Sequence, residues 1–547
     1  MMLSAFVRHV LFLPSIFCVA AFGQQDLPAD YLSKEFHKGR REAARALMPD
    51  SSVLVVFAAP TRTFANDVEY NYHQNPDLYY FTGYKEPNAV LLLFKNVQQA
   101  ADGSTYQEAF FVQDRDTRQE QWTGRRLGVA GVREKLGIQN AFTNDRFKTF
   151  SWKTPAVKYV HFELPLGLNT EENAVGSLNH LVQSFQQAVN LPSNYNAAVY
   201  AELSWFAQAV GPNNLDQALH YLKEKANADD VFASVPEIGA VLSITDSTDL
   251  HKVQGQLLKN PLLRNAYQPI TSRLREVKTA EELYLLRKAV EISCAGQAEV
   301  MKTLHPGMSE LEVQGLHEYI HKRYGSEEVG YGSIVGAGEN GCILHYVENS
   351  KTKVGENLLL MDVGAAYHGY TADVTRTVPA KGKFSAEERI IYQLVYDAQE
   401  AAFKTLKEGT PWEQANKAAL DVIAAGLLKL GIINNITDAK KYYPHGLGHH
   451  IGLDVHDKSE YGPLKKDMVI TIEPGIYIPP NSPCDKRWWG IAVRIEDDLL
   501  ITKDGYELLS HFAPRSVAAI EKLMADNSVL DNYKLPALKT SAPKKGF

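Results

Sequence analysis

From Thr279 onward the sequence runs twice through one order of elements, and this repetition restricts the fold more than any other feature. Helical periodicity over 279–303 and 309–324 precedes strand-like runs at 331–336, 342–347, 357–363 and 369–377. The order returns as helices over 385–406 and 411–430, then runs near 447–451, 468–474, 490–497 and 506–510. Thr279 followed by Glu282 is a capping box, in which each side chain satisfies a backbone donor of the other, so the first helix starts there. Two helix–helix–sheet halves predict a pseudo-symmetric α/β domain with its site between the halves.

Upstream, strand-like and helical runs alternate from Tyr31 to about Asn265. Ser52–Phe57 and Ala89–Phe94 are predicted as buried strands, Ala201–Val210 and Leu215–Lys225 as helices. A basic, turn-rich stretch from Pro269 to Lys278 marks a boundary. The expected division is an N-terminal α/β domain over 27–268, the repeated domain over 269–515, and a C-terminal helix and tail over 516–547. Residues 1–23 form a signal peptide in this reading. Arg8 precedes an apolar run, and Ala21-Phe-Gly23 offers a small-x-small cleavage site, so a secreted or periplasmic protein is expected. No later segment is apolar enough to span a bilayer.

Composition narrows the classes further. With 45% hydrophobic and 22% charged residues, the 547-residue chain is globular rather than disordered. The net charge of -7 leaves no electrostatic footprint for nucleic acid. Four cysteines exclude a disulfide scaffold. After signal removal Cys294, Cys342 and Cys484 remain; three buried thiols are expected, with one bridge and a leftover thiol as the alternative.

Two motifs attract attention and are set aside. His317-Glu-Tyr-Ile-His321 matches the H-E-x-x-H zinc pattern, but Leu311, Leu316 and Ile320 make the predicted buried stripe. That places both histidines on a polar surface beside Lys322 and Arg323. Gly336-Ala-Gly338-Glu-Asn-Gly341 matches a dinucleotide fingerprint, which requires a helix opening at its third glycine. The β-rich Cys342–Val347 that follows predicts a flexible turn instead.

The chemistry lies in two pairs of acids. Leu358-Leu-Leu-Met runs into Asp362, and Asp373 follows eleven residues later. A hairpin turning near Tyr367 and His368 would set the two carboxylates directly opposite, about 5 Å apart at Cβ. Glu473 and Glu496 repeat the arrangement across a hairpin whose midpoint is 484–485. Bare carboxylates that close repel unless they share a proton or bind a cation. His449, on a glycine-flanked run, can add an imidazole. Four carboxylates and one imidazole suit two hard-to-borderline divalent ions such as Mn²⁺. Such a pair activates water and polarises a carbonyl.

These five positions and their flanks resemble the pita-bread metallopeptidases, a family that includes methionine aminopeptidase, prolidase and Xaa-Pro aminopeptidase. The resemblance covers about 275–512. It implies Asp362, Asp373, His449, Glu473 and Glu496 as ligands of two metal ions, with Asp373 and Glu496 bridging both and Asp362 binding one. It further implies His345 as a substrate-binding and proton-relay residue, and His445 and His456 as groups that steady substrate or the tetrahedral intermediate. Arg494 would orient a ligand carboxylate, and Glu473 would also shuttle a proton. His450 has no implied role and is expected to be structural.

The N-terminal half points to the subfamily. Asp67-Val-Glu-Tyr-Asn-Tyr-His-Gln-Asn-Pro-Asp-Leu-Tyr-Tyr-Phe-Thr-Gly83 and Trp122-Thr-Gly-Arg-Arg-Leu-Gly128 resemble the Xaa-Pro aminopeptidase N-terminal domain. Creatinase shares the domain pair but lacks these ligands. The implied activity is removal of an N-terminal residue preceding proline, in a homo-oligomer (dimer or tetramer). Trp488, Trp489 or tyrosines are candidates for the proline pocket. Glu507-Leu-Leu-Ser and Ala513-Pro-Arg515 lean towards a prolidase acting on Xaa-Pro dipeptides. An inactive peptide-binding protein of the same fold is the alternative from another class.

Overall fold

A computed structural model describes residues 30–532 and 535, apart from 101, 193 and 194. The expected signal peptide and the last twelve residues of the tail lie outside the described residues. Ser52–Phe57, apolar from Val53 onward, forms a strand with every residue buried, because it lies inside a mixed sheet. It pairs antiparallel with Val90–Gln99 and parallel with Tyr159–Phe162. Thr105–Val112 and Ala141–Thr143 complete five strands. Helices Lys34–Leu47 and Leu178–Val189 bury Phe36 and Ala44, and Leu181 and Phe185, in the same apolar cluster.

The predicted helices are present as Ala197–Ala209 and Leu215–Ala228. With three shorter helices they close around a separate apolar cluster running from Val199 to Leu263. Helix Tyr267–Arg275 then leads into the repeated half.

That half carries its symmetry in matched details. The predicted capping box at Thr279 and Glu282 is formed, and Ser385 and Glu388 form a second at the equivalent helix of the other half. Each of these helices presents a buried glutamine to its sheet. Gln297 donates to the carbonyls of Met361 and Val374 at 3.0 and 2.8 Å. Gln399 donates to those of Ile472 and Ile495 at 3.0 and 3.1 Å. In both halves one amide therefore clamps the two strands that carry the acids.

Several expectations need correction. Residues 342–347 are not a strand; Gly338–Cys342 is a 3-10 turn and irregular chain follows. Side chains meet the backbone of Ile334–Ala337 instead: Asn349 accepts from the amide of Val335 and Glu310 from that of Ala337. The glycine motif thus opens no long helix, as read from the sequence. Residues 447–451 lie along Val469–Ile472 with one bridge, between His450 and Ile470, rather than as a full strand.

The H-E-x-x-H helix, Glu310–Arg323, is rotated from its expected setting. It buries Val313, His317, Ile320 and His321, while Leu311 is 64% exposed. His317 and His321 face Gly296 of the neighbouring helix, where a hydrogen replaces a side chain and leaves room for two imidazoles. They are core histidines, not surface ones, and no carboxylate joins them in a metal-ligand group among the described residues. Burial lowers the His321 pKa to about 4. The three later cysteines are free, but only Cys294 is fully buried. No helix among the described residues is long and apolar enough to cross a membrane.

Candidate active site

The first acid pair sits on the sheet formed by Leu358–Val363 and Val374–Pro379. Its register differs from the sequence expectation. Asp362 pairs with Thr375, so Asp373 lies diagonally rather than directly opposite. The cause is local. The turn falls on His368 and Gly369, at φ of 51° and 91°, with Tyr367 and Tyr370 paired across it. Two consecutive positive φ values make the tight two-residue loop that matches strand twist. The turn centre is one residue later than expected, which shifts the register by two.

The second pair follows the expected register. Ile472 is opposite Asp497 and Gly475 opposite Arg494, placing Glu473 opposite Glu496 where Pro474 interrupts the ladder. The Thr471 amide donates to the His449 carbonyl and the Glu473 amide to that of Leu447, at 2.8 and 2.7 Å. Gly448 permits this approach, because a side chain there would strike the Thr471 backbone.

The imidazole and acids converge. His449 Nε2 is 3.5 Å from Asp373, 3.6 Å from Glu473 and 3.9 Å from Glu496. One ligand atom each from Asp373, His449 and Glu496 falls within 4.8 Å of the others. The Tyr331 hydroxyl is 2.6 Å from both Asp362 and Asp373. It has one proton to donate, so the second carboxylate needs another positive partner or a proton. Arg494 Nη2 donates to Asp362 at 2.6 Å and Nη1 to Tyr477 at 3.0 Å. Thr375 donates to Glu496 Oε2 at 2.6 Å, leaving Glu496 Oε1 buried without a hydrogen bond.

Electrostatics follow from this crowding. Burial raises the Asp362 carboxyl above its ordinary range, and burial with neighbouring carboxylates raises Glu496 well above it. Burial also lifts Glu473 to about 7. Burial alone would lower His449, but its hydrogen bond and charge interaction with Asp373 raise it to about 9. Burial acts upward on Asp373 too, and the His449 hydrogen bond outweighs it and holds that carboxyl low. A buried anion cluster with an orphaned ligand oxygen is what divalent cations stabilise, so the donor set fits oxygen-preferring metals.

The cluster opens into a cavity of about 620 Å³, lined also by His345, His445 and His456. All nine sequence-derived site residues therefore meet at one place. The His445 Nε2 lies 2.8 Å from the Tyr477 hydroxyl, and the His456 ring packs edge-on against His449 with centroids 4.3 Å apart. His450 is structural: it stacks on Trp412 and shares a hydrogen bond with Ser459. Trp488 is buried in the core and Trp489 bonds the Ser482 carbonyl; neither lines the cavity. Its apolar wall is Leu344, Val347 and Val455, with Tyr331 and Tyr461. Sequence reading missed Tyr331, Thr375 and Tyr477. The one available signal was Tyr331 between two glycines, just ahead of a strand.

The fold and site define a metallopeptidase. Residues 284–503 match metallopeptidase family M24, and residues 37–155 match the aminopeptidase P N-terminal domain. The chain belongs to family M24. Its relatives include the Xaa-Pro aminopeptidase of Escherichia coli strain K12, 33% identical across 90% of this chain and 98% of that one. The mitochondrial intermediate cleaving peptidase 55 of Arabidopsis thaliana is 28% identical across 91% and 84%. Aminopeptidase P from E. coli with the inhibitor Pro-Leu superposes with a TM-score of 0.68 at 28% identity, covering 90% of this chain and 98% of that one.

Proposed function

We propose that this enzyme releases the N-terminal residue from peptides whose second residue is proline. The observation that carries the reading is the convergence of four carboxylates and His449 on one cavity, in a chain related over nearly its whole length to a Xaa-Pro aminopeptidase. In this reading Asp362, Asp373, His449, Glu473 and Glu496 would hold two divalent cations, Mn²⁺ foremost. When bound, such ions supply activated water and polarise the scissile carbonyl.

The protein's own groups do the rest. Arg494 and Tyr331 fix the Asp362 carboxylate from two sides, and Thr375 fixes Glu496, so the ligand oxygens stay aimed at one point. Glu473 lines the cavity 3.6 Å from His449, where it can pass a proton towards the departing proline nitrogen. His345 and His456 face the cavity, where they can donate to the substrate carbonyl region, and His445 acts with Tyr477 on the same side. The apolar wall of Leu344, Val347, Val455 and Tyr461 offers packing for a proline ring, whose nitrogen carries no hydrogen.

Parallel hydrolysis of Xaa-Pro dipeptides and Xaa-Pro-Xaa tripeptides, with Mn²⁺ added to metal-free protein, tests this. Tripeptides are cleaved if the reading holds; cleavage of dipeptides alone makes the enzyme a prolidase. Absence of both metal binding and cleavage would overturn the enzyme reading and leave the inactive peptide-binding alternative to be tested. Export through residues 1–23 and a homo-oligomeric state belong to the same proposal. The exposed hairpin residues Phe64, Val68 and Tyr70 supply an apolar surface for the latter. N-terminal sequencing of exported protein and light scattering check these two points.

A further inference from the structure

The segment Asp454–Lys458 carries two residues of the cavity wall, Val455 and His456. The His456 imidazole packs on His449, so its placement follows the backbone that carries it. That backbone is held by charges on both sides of His456. Asp454 and Asp457 accept from Arg275, the former at 2.7 Å, and Asp457 also accepts from Lys278 at 2.7 Å. Lys458 donates to Asp77 at 2.8 Å and to Glu163 at 3.0 Å.

Asp77 joins the two sides. It lies in the Asn-Pro-Asp stretch of the N-terminal region and is 1% exposed. One of its oxygens accepts from Arg275 at 2.8 Å, and the other from Lys458 and from the Tyr267 hydroxyl at 3.0 Å. Gly452 makes room for the arrangement, because a side chain there would collide with Asp457 and with Lys278 Nζ. Burying this many charges does little for stability, since desolvation offsets the attraction.

We propose that Asp77 is a positioning residue for the active cavity. Acting through Arg275 and Lys458, it holds the 454–458 segment so that His456 faces the ligand cluster. The N-terminal region thereby contributes to turnover without touching substrate. This rests on the reading of His456 as a substrate-facing group.

The test is a double-mutant cycle on tripeptide hydrolysis at saturating Mn²⁺, comparing wild type, Asp77→Asn, His456→Ala and the double variant. Asp77→Asn is expected to lower kcat about tenfold, the scale of a sub-ångström misplacement, with metal content unchanged. The double variant should match His456→Ala within about twofold, because a lost positioning contact has nothing left to position. Losses that multiply in the double variant, or wild-type kcat in Asp77→Asn, overturn the proposal. If His456→Ala alone has wild-type kcat, the reading of His456 fails and the proposal falls with it. Should Asp77→Asn not fold, Lys458→Met reads the same clamp from its more exposed end. Lys458→Arg, which keeps the charge, should then retain most of the activity lost in Lys458→Met.

Discussion

Replacing Glu496 by glutamine should stabilise the metal-free enzyme while removing most of its stabilisation by metal. Ligand oxygens of Glu496 and Asp373 lie within 4.8 Å. At an effective dielectric of about 20, two ionised groups that close repel by about 3.5 kcal/mol. Glu496→Gln removes this repulsion, and its amide can still accept from Thr375. Protonation of one acid in the wild type relieves part of the strain, so the gain should be about 1–3 kcal/mol. For a chain of this size an unfolding entropy of about 1 kcal/mol/K converts that into a rise of about 1–3 °C in Tm. Metal acts with the opposite sign. Binding at a hundredfold excess over Kd adds about 2.7 kcal/mol per site, and the glutamine variant should lose most of it. Calorimetry at about pH 7.5, with chelator and then with Mn²⁺, reads both signs. A metal-free variant less stable than metal-free wild type, with equal gains from Mn²⁺ in both, would refute the reasoning that the cluster is a cation site.

Two further outcomes follow from the core. His321 is neutral in the fold because burial lowers it from 6.5 to about 4. Its folded pKa is depressed, so stability is full above about pH 6.5 and falls by up to about 3 kcal/mol as pH drops towards 4. His321→Leu should flatten that slope in acid unfolding titrations, and an unchanged slope would exclude His321 as its source. Gln297→Leu should cost about 2 kcal/mol through the loss of two hydrogen bonds. Gln399→Leu should cost more, since Asp497 and Arg515 also lose a partner; denaturant titrations that rank the two the other way would count against the paired-clamp description.

Much of the site is legible in the amino-acid order alone. An acid ending an apolar run marks a strand end, and the regular spacing of Glu473 and Glu496 about 484–485 carries their register correctly, because both strand pairs of that half keep one alignment. The capping box at Thr279 is readable because it is a contact between residues three apart. Where local reading fails, the deciding contact lies far away in sequence. The register of Asp362 depends on His368 accepting a positive φ, a choice supported by its hydrogen bonds with Glu327. The burial of His317 and His321 depends on Gly296 lying against their helix, and the missing strand at 342–347 on Glu310 and Asn349 satisfying the neighbouring backbone.

The sequence by itself determined which side chains could hold metal and roughly where the capped helices and the acid-bearing strands begin. Those are matters of residue chemistry and local periodicity. Tertiary structure decided how the carboxylates are held: Tyr331 and Arg494 engage both oxygens of Asp362, and Thr375 takes one oxygen of Glu496 and leaves the other without a hydrogen bond. It also decided which apolar side chains line the cavity and how Asp77 comes to reach the loop of His456. These are contacts between residues 31 to 381 positions apart, and no local pattern encodes the distance that packing closes.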